Sequence, residues 1–479
     1  MHTTLSLLLA LTICLPAAVR ADPFDHTWCR LVTERFEIIT DLSAREVNRL
    51  AEEMAVFEVV AKAFIYGNGK SADLPLKVVV FRDHDDFRTA MKAARFSGFM
   101  QPSLQRGMLI IGPQQNGRPL RETALHEYTH YLLRNLIDVS FPVWYDEGLA
   151  NFLSTMTMNR RNVTIGNAPT ALLRNATRTG LVNLSETVES RRVYEWEQIK
   201  LNDFYLMAWT LVHFIEFGHK AGFDDRREQL EAYLSAVISP FEATFDTSYE
   251  RLAGELRDYT RKRKLPSIRL PRPKLALRTS EPECLDDQSR NYELASAMVQ
   301  RNPEDALAIM AALNTQDPAD VRYLIGLSMA HFQLRQFRES MSFAQQALTM
   351  DPGDPSAQIE FATRLVRGCM LVRAPGCVEK WARAVELFQS SIRADPHRFD
   401  AALGLGLSYL HAGNPEDALN YLRIAYQKVP WAPHINFYLG ECYRLVDDDR
   451  AVVHLTNARN WSSVEIWKRL ADAALAELD

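Results

Sequence analysis

Through the first half of the chain, apolar residues fall in short β-rich runs separated by stretches at helical spacing. Phe36–Thr40 reads as a strand, and 43–64 carries apolar residues at the helical period and reads as a helix. Leu76–Phe81 is a second β-rich run, followed by a helix over 83–94. Gly107–Ile111 is a short apolar strand held between Gly107 and Gly112-Pro113. From Arg121 the pattern is mainly helical, with one further strand near Val163–Ile165. Strands mixed with helices in this way predict an α+β domain over 22–264.

Between 265 and 283 stand four prolines, at 266, 271, 273 and 282. Proline at that density interrupts helix and sheet alike, which predicts a linker or domain boundary. Beyond it the chain repeats. Pro318, Pro352, Pro396 and Pro430 are spaced by 34, 44 and 34 residues. A 34-residue period is that of tetratricopeptide (TPR) helical hairpins, and the longer interval is one period plus a ten-residue insertion. In the clearest unit Leu405, Gly406, Tyr409, Ala418, Ala425 and Pro430 take the large, small and helix-breaking positions. Small residues let two helices approach, large ones fill the gap, and proline ends the second helix. An all-α solenoid over 284–479 is expected, with a final helix over 463–478 as its cap.

Composition changes this picture little. The 479 residues are 47% hydrophobic and 24% charged, as in ordinary globular protein. A net charge of −5 gives no reason to expect nucleic acid as a partner. The N-terminus adds more. Leu5 to Val19 is almost wholly apolar, and Val19-Arg20-Ala21 carries small residues at the −3 and −1 positions of a cleavage site. A signal peptide over 1–21 and a periplasmic or secreted mature protein are expected, with no transmembrane segment after cleavage. In an oxidising compartment Cys369 and Cys377, both within the insertion, are near enough to close a small loop, with buried free thiols as the other reading. Cys29 and Cys284 are a second candidate pair.

The chemistry lies in His126-Glu127-Tyr128-Thr129-His130. Histidines at i and i+4 of a helix project from one face, so both imidazoles can reach one ion. Zinc takes neutral imidazole readily, and Glu127 can reach a water on that ion. Residues 121–133 contain no Gly or Pro, so the helix this requires can form. Glu147 follows His130 by 17 residues, room for one helix to end and a second to return, and Gly148 and Ala150 would let that second helix pack closely.

HExxH followed by Trp144-Tyr145-Asp146-Glu147-Gly148-Leu149-Ala150 resembles the gluzincin zinc metallopeptidases, and most of all the exported "peptidase MA-like" families. The resemblance covers about residues 28–260. It implies a zincin-like domain, zinc (Zn2+) held by His126, His130 and Glu147, and hydrolysis of peptide bonds by a zinc-activated water with Glu127 as general base. It further implies Tyr205, three residues before Ala208, as oxyanion or proton donor. His213 is the competing donor, or else a core histidine. Asn151 corresponds to a partner of the metal-binding groups, and Gly107, Met108, Leu109, Ile110 and Ile111 look like the edge strand on which an extended substrate lies.

The expected protein is thus an α+β zincin-like metallopeptidase domain followed by a TPR solenoid that docks a protein partner or substrate. The alternative is a TPR scaffold whose metal-binding domain is vestigial.

Overall fold

The computed structural model describes residues 23–65, 76–93, 97–102, 107–113, 119–136, 141–169, 183–190, 193, 196–235, 240–371, 376–430, 432–462 and 465–478. The expected signal peptide lies outside them.

The N-terminal part is built on a mixed sheet. Its strands are β1 (Cys29–Val32), β2 (Phe36–Thr40), β3 (Leu76–Val80), β4 (Gly98–Pro102), β5 (Gly107–Ile111) and β9 (Glu283–Cys284), in the spatial order β4-β5-β3-β2-β1-β9. The central strands β2, β3 and β5 run parallel, while β4 and β1 are antiparallel to their neighbours. Helix α1 (Ala44–Ala61) makes the crossover from β2 to β3 and starts at a capping box formed by Ser43 and Glu46. A smaller helix, α2 (His84–Met91), covers the other face. The apolar side of α1 joins the sheet, α3 (Leu120–Leu136), α4 (Val143–Ser154) and α6 (Gln198–Phe217) in one large core. Shorter helices α5 (Leu184–Glu189), α7 (Arg227–Ser235), α8 (Phe241–Phe245) and α9 (Tyr249–Thr260) add apolar side chains to it around α6.

Two expectations need correction here. Gly107–Ile111 is not an edge strand: β5 is hydrogen-bonded to β3 on one side and β4 on the other, and Met108 to Ile111 are buried. An unbroken apolar run is the signature of a strand covered on both faces, and that rule decides the placement. The edge is β4. Nor is 265–283 a free tether. Ile268–Pro271 forms β8, the outer strand of a three-stranded sheet with β6 (Thr157–Met158) and β7 (Asn162–Ile165), and Cys284 stands opposite Cys29 across β9 and β1. The prolines stop helix there without preventing edge pairing.

From Asp287 the chain forms antiparallel helix pairs. They are α10 (Asp287–Met298) with α11 (Pro303–Gln316), α12 (Val321–Gln333) with α13 (Phe337–Met350), and α14 (Pro355–Leu371) with α15 (Cys377–Ala394). Then follow α16 (Phe399–His411) with α17 (Pro415–Lys428), α18 (Pro433–Leu445) with α19 (Arg450–Trp461), and a terminal α20 (Glu465–Leu475). Gly406 shows why the sequence code works, since a Cβ there would lie 2.5 Å from Leu422 Cγ. First helices of successive pairs touch one another from α12 through α20, which puts them on the inner side of the stack. A disulfide joins Cys369 to Cys377 across the α14–α15 junction. Cys29, Cys284 and Cys442 are free thiols.

The solenoid packs against the N-terminal sheet. Glu293 receives Arg30 at 2.7 Å and Lys77 at 2.5 Å, and Gln101 of β4 donates to the carbonyl of Ala297 at 2.8 Å. Farther along, Met100 of β4 and Tyr131 of α3 pack against the apolar cluster of α16, α17 and α18. No helix among the described residues is long and apolar enough to cross a membrane.

Candidate metal centre

Helix α3 carries the first two candidate ligands. Ala124, Leu125, Tyr128, Leu132 and Leu133 face the core, and Tyr128 donates from its hydroxyl to Glu58 at 2.9 Å, which fixes the roll of the helix. That roll turns His126 and His130 together, with Nε2 atoms 3.3 Å apart. Helix α4 returns antiparallel to α3 and supplies the third. Oε2 of Glu147 lies 3.3 Å from His126 Nε2 and 3.7 Å from His130 Nε2. All three side chains are buried.

That triangle can be tested against an ion. Zinc with nitrogen and oxygen ligands at about 2.0–2.1 Å in tetrahedral geometry sets its ligand atoms about 3.3–3.4 Å apart. The observed 3.3, 3.3 and 3.7 Å fit that arrangement. Among the described residues, this is the group of His, Cys, Asp and Glu side chains able to hold an ion.

The third candidate ligand reaches the centre because α4 lies hard against α6. A Cβ on Gly148 would stand 2.6 Å from the carbonyl oxygen of Ala208, so only glycine permits this approach. Asp146, the residue before Glu147, accepts from His130 Nδ1 at 2.9 Å. A neutral His130 donating from Nδ1 turns its Nε2 lone pair toward the centre. The electrostatics agree. Burial opposes a charge on His130, yet Asp146 and Glu147 outweigh it and push the imidazole up to about 10. Glu147, although buried, is held well below the usual carboxylate range by His130 and His126.

Glu127 is half-buried beside the pair. It lies against Gly98, where a Cβ would fall 2.4 Å from Glu127 Cγ. The edge strand β4 and the candidate base are therefore neighbours.

The other expected residues are placed as follows. Asn151 is buried one turn past Glu147 on α4, and its Nδ2 donates to the backbone carbonyl of Glu147 at 2.9 Å. The partner of the His130 imidazole is Asp146, which the sequence reading did not single out; its signal was an acidic pair inside an otherwise apolar helix. His213 is a core residue, with Nδ1 2.7 Å from the Tyr259 hydroxyl and Nε2 3.1 Å from the Gly166 carbonyl. Burial pushes it down to about 4, so it stays neutral. Tyr205 sits half-buried on α6, one turn before the Gly148–Ala208 contact, with its ring 5.8 Å from that of Phe204.

A tetratricopeptide-repeat family model matches residues 295–355 and 378–433. The C-terminal region is a TPR array. Solved structures similar to the chain include a thermophilic TPR protein of Thermus thermophilus, 16% identical over 40% of this chain and 99% of that one, TM-score 0.36. MamA from Desulfovibrio magneticus is 19% identical over 37% and 96%, TM-score 0.26. YrrB, described as a TPR protein with an unusual peptide-binding site, is 16% identical over 39% and 91%, TM-score 0.28. No curated protein sequence matches the chain. The matched family residues all lie in the TPR array, so the metal-centre reading rests on motif and geometry.

Proposed function

We propose that the protein is an exported zinc metallopeptidase of zincin-like fold whose TPR array presents polypeptide to the metal cleft. The observation that carries this reading is the buried triangle of His126, His130 and Glu147 with sides of 3.3 to 3.7 Å, beside a half-buried Glu127. Export is supported by the apolar N-terminal run and by the Cys369–Cys377 disulfide, a bond that persists in oxidising compartments.

Two imidazoles and one carboxylate would hold the ion. Bound zinc supplies Lewis acidity toward water and toward a peptide carbonyl. Glu127 takes a proton from the attacking water and delivers it to the leaving nitrogen. Asp146 keeps His130 in the tautomer that binds metal. Tyr205 donates to the developing oxyanion. The outer edge of β4 would offer backbone groups to an extended substrate beside Glu127.

The family match favours a second reading, a protein-interaction scaffold whose metal centre is structural. One experiment separates the two. Zinc content and cleavage of a broad peptide mixture are measured for the native protein and for Glu127→Gln. Stoichiometric zinc in both, with cleavage lost only in Glu127→Gln, supports the peptidase. Zinc without cleavage in the native protein favours the scaffold, and full activity in Glu127→Gln overturns the assignment.

A further inference from the structure

Two thiols outside the metal centre face each other across the last pair of strands in the large sheet. Cys29 of β1 stands opposite Cys284 of β9 in antiparallel register, with Arg30 opposite Glu283 beside them. Opposed residues of antiparallel strands alternate between hydrogen-bonded and non-hydrogen-bonded pairs. Leu285 donates its N–H to the carbonyl of Trp28 at 2.8 Å, so Trp28 and Leu285 are a hydrogen-bonded pair. Cys29 and Cys284, one step along, are therefore a non-hydrogen-bonded pair. There the Cα atoms stand about 4.5 Å apart and both side chains leave on the same face. A disulfide spans Cα separations of about 4.4–6.8 Å, so these strands can be bridged without moving apart or closer. Burial pushes the Cys29 thiol up to about 12, and its hydrogen bond to Cys284 adds to the rise.

The position of the pair gives it a consequence. Strand β9 is two residues long and closes one end of the sheet, with Cys284 exposed and Cys29 half-buried. Before it, the chain runs along β1 through Ser280, whose N–H donates to the Val32 carbonyl at 2.9 Å. After it, the array begins at once: Asp286 caps α10 by accepting from the N–H of Ser289 at 2.6 Å. Glu293 on that helix is held by Arg30 and Lys77 of the sheet. An exposed edge strand this short is the kind of segment that opens locally ahead of the core. A covalent bond here would hold the chain at the point where the array leaves the sheet.

We propose that Cys29 and Cys284 close a second disulfide on meeting a small-molecule disulfide such as oxidised glutathione, fastening the root of the array to the edge of the sheet. The exposed Cys284 attacks first, as its thiolate, on one sulfur of the oxidant, and one glutathione leaves. The Cys29 thiolate then attacks the Cys284 sulfur of the mixed disulfide, and the second glutathione leaves. Two protein thiols thus give up two electrons and two protons, which depart on two molecules of reduced glutathione. Cys442, buried in the apolar cluster of α16, α17 and α18, stays free. The proposal draws on the export reading only for an oxidising compartment, and it needs no activity at the metal centre.

The test takes the full-length protein, equilibrates it with oxidised glutathione, alkylates the remaining thiols and nicks the chain with trypsin, whose targets include the exposed Lys274 and Arg278. A nick there separates residue 29 from residue 284, so a bond between them keeps the two fragments together on a gel run without reductant. Mass spectrometry should find the Cys29 peptide joined to the Cys284 peptide. Cys442→Ser should leave that link in place, and Cys29→Ser and Cys284→Ser should each abolish it. The amides of Glu283, Cys284 and Leu285 should exchange hydrogen about tenfold more slowly in the oxidised native protein than in Cys284→Ser. If Cys29→Ser fails to fold by circular dichroism, Cys284→Ser, at an exposed position, carries the test. Fragments that part without reductant, glutathione left on Cys284, or a dimer joined through Cys284 would overturn the proposal. A link without slower exchange would overturn the fastening of the array. A linked protein that cleaves no peptide would count only against the peptidase reading.

Discussion

The carboxylate of Asp146 lies 2.9 Å from Nδ1 of His130, so the residue next to one candidate ligand orients another. Partners of this kind fix the imidazole tautomer, and their loss typically weakens metal binding by about 10–100-fold. Asp146→Ala should therefore lower zinc affinity by that order. Asp146→Asn, which keeps an acceptor, should lower it less. Competition against a chromophoric chelator measures both. Unchanged affinity in Asp146→Ala would remove Asp146 from the site.

Gly98→Ala should separate catalysis from metal binding. The added Cβ would lie 2.4 Å from Glu127 Cγ and 2.9 Å from Cδ, so the carboxylate must move. A displacement near 1 Å of a reacting group costs roughly a hundredfold in rate. The expected variant holds as much zinc as the native protein and cleaves peptide about a hundredfold more slowly. Native turnover would show that Glu127 is not the base or that β4 yields freely.

Gly148→Ala should act through stability. Its Cβ would meet the Ala208 carbonyl oxygen at 2.6 Å and Val212 Cγ2 at 2.8 Å, and a backbone oxygen in a buried helix has little room to retreat. Overpacking of this kind costs about 1–3 kcal/mol. Because α4 must shift, zinc affinity should fall together with the melting temperature. A variant that melts with the native protein would mean that the α4–α6 contact is looser than these distances imply.

These contrasts mark what could be read without a structure. The candidate histidine pair was legible because i,i+4 spacing on a helix is a local property, and so was the array, since each hairpin repeats Gly or Ala against a large partner, as Gly406 does against Leu422. Asp146 was not, because its contact with His130 depends on how the chain turns between α3 and α4. Strand β4 was not, because Gly98-Phe99-Met100-Gln101-Pro102 has no alternation of its own. It is held by pairing to β5 and by Gln101 reaching Ala297, both long-range. The proline-rich segment misled for the same reason: proline density reports what a segment cannot form by itself, and Ile268–Pro271 gains its strand from β7.

Glu216 should make stability depend on pH. It lies buried on α6, and burial pushes its carboxyl up to about 7 from an ordinary 4.5; Arg227 works against the rise and Asp225 adds to it. The folded state thus holds this proton more tightly than the unfolded chain does. Its contribution is complete below about pH 4.5, and it is lost as pH rises through 7. A shift of that size corresponds to roughly 3–4 kcal/mol. Glu216→Gln keeps the shape and removes the titration. Its stability should decline less than the native protein's between pH 5 and pH 8, leaving it the more stable of the two at pH 8. Urea midpoints at four pH values across that window would measure the difference, and parallel curves for the two proteins would mean that Glu216 is ionised in the fold at neutral pH.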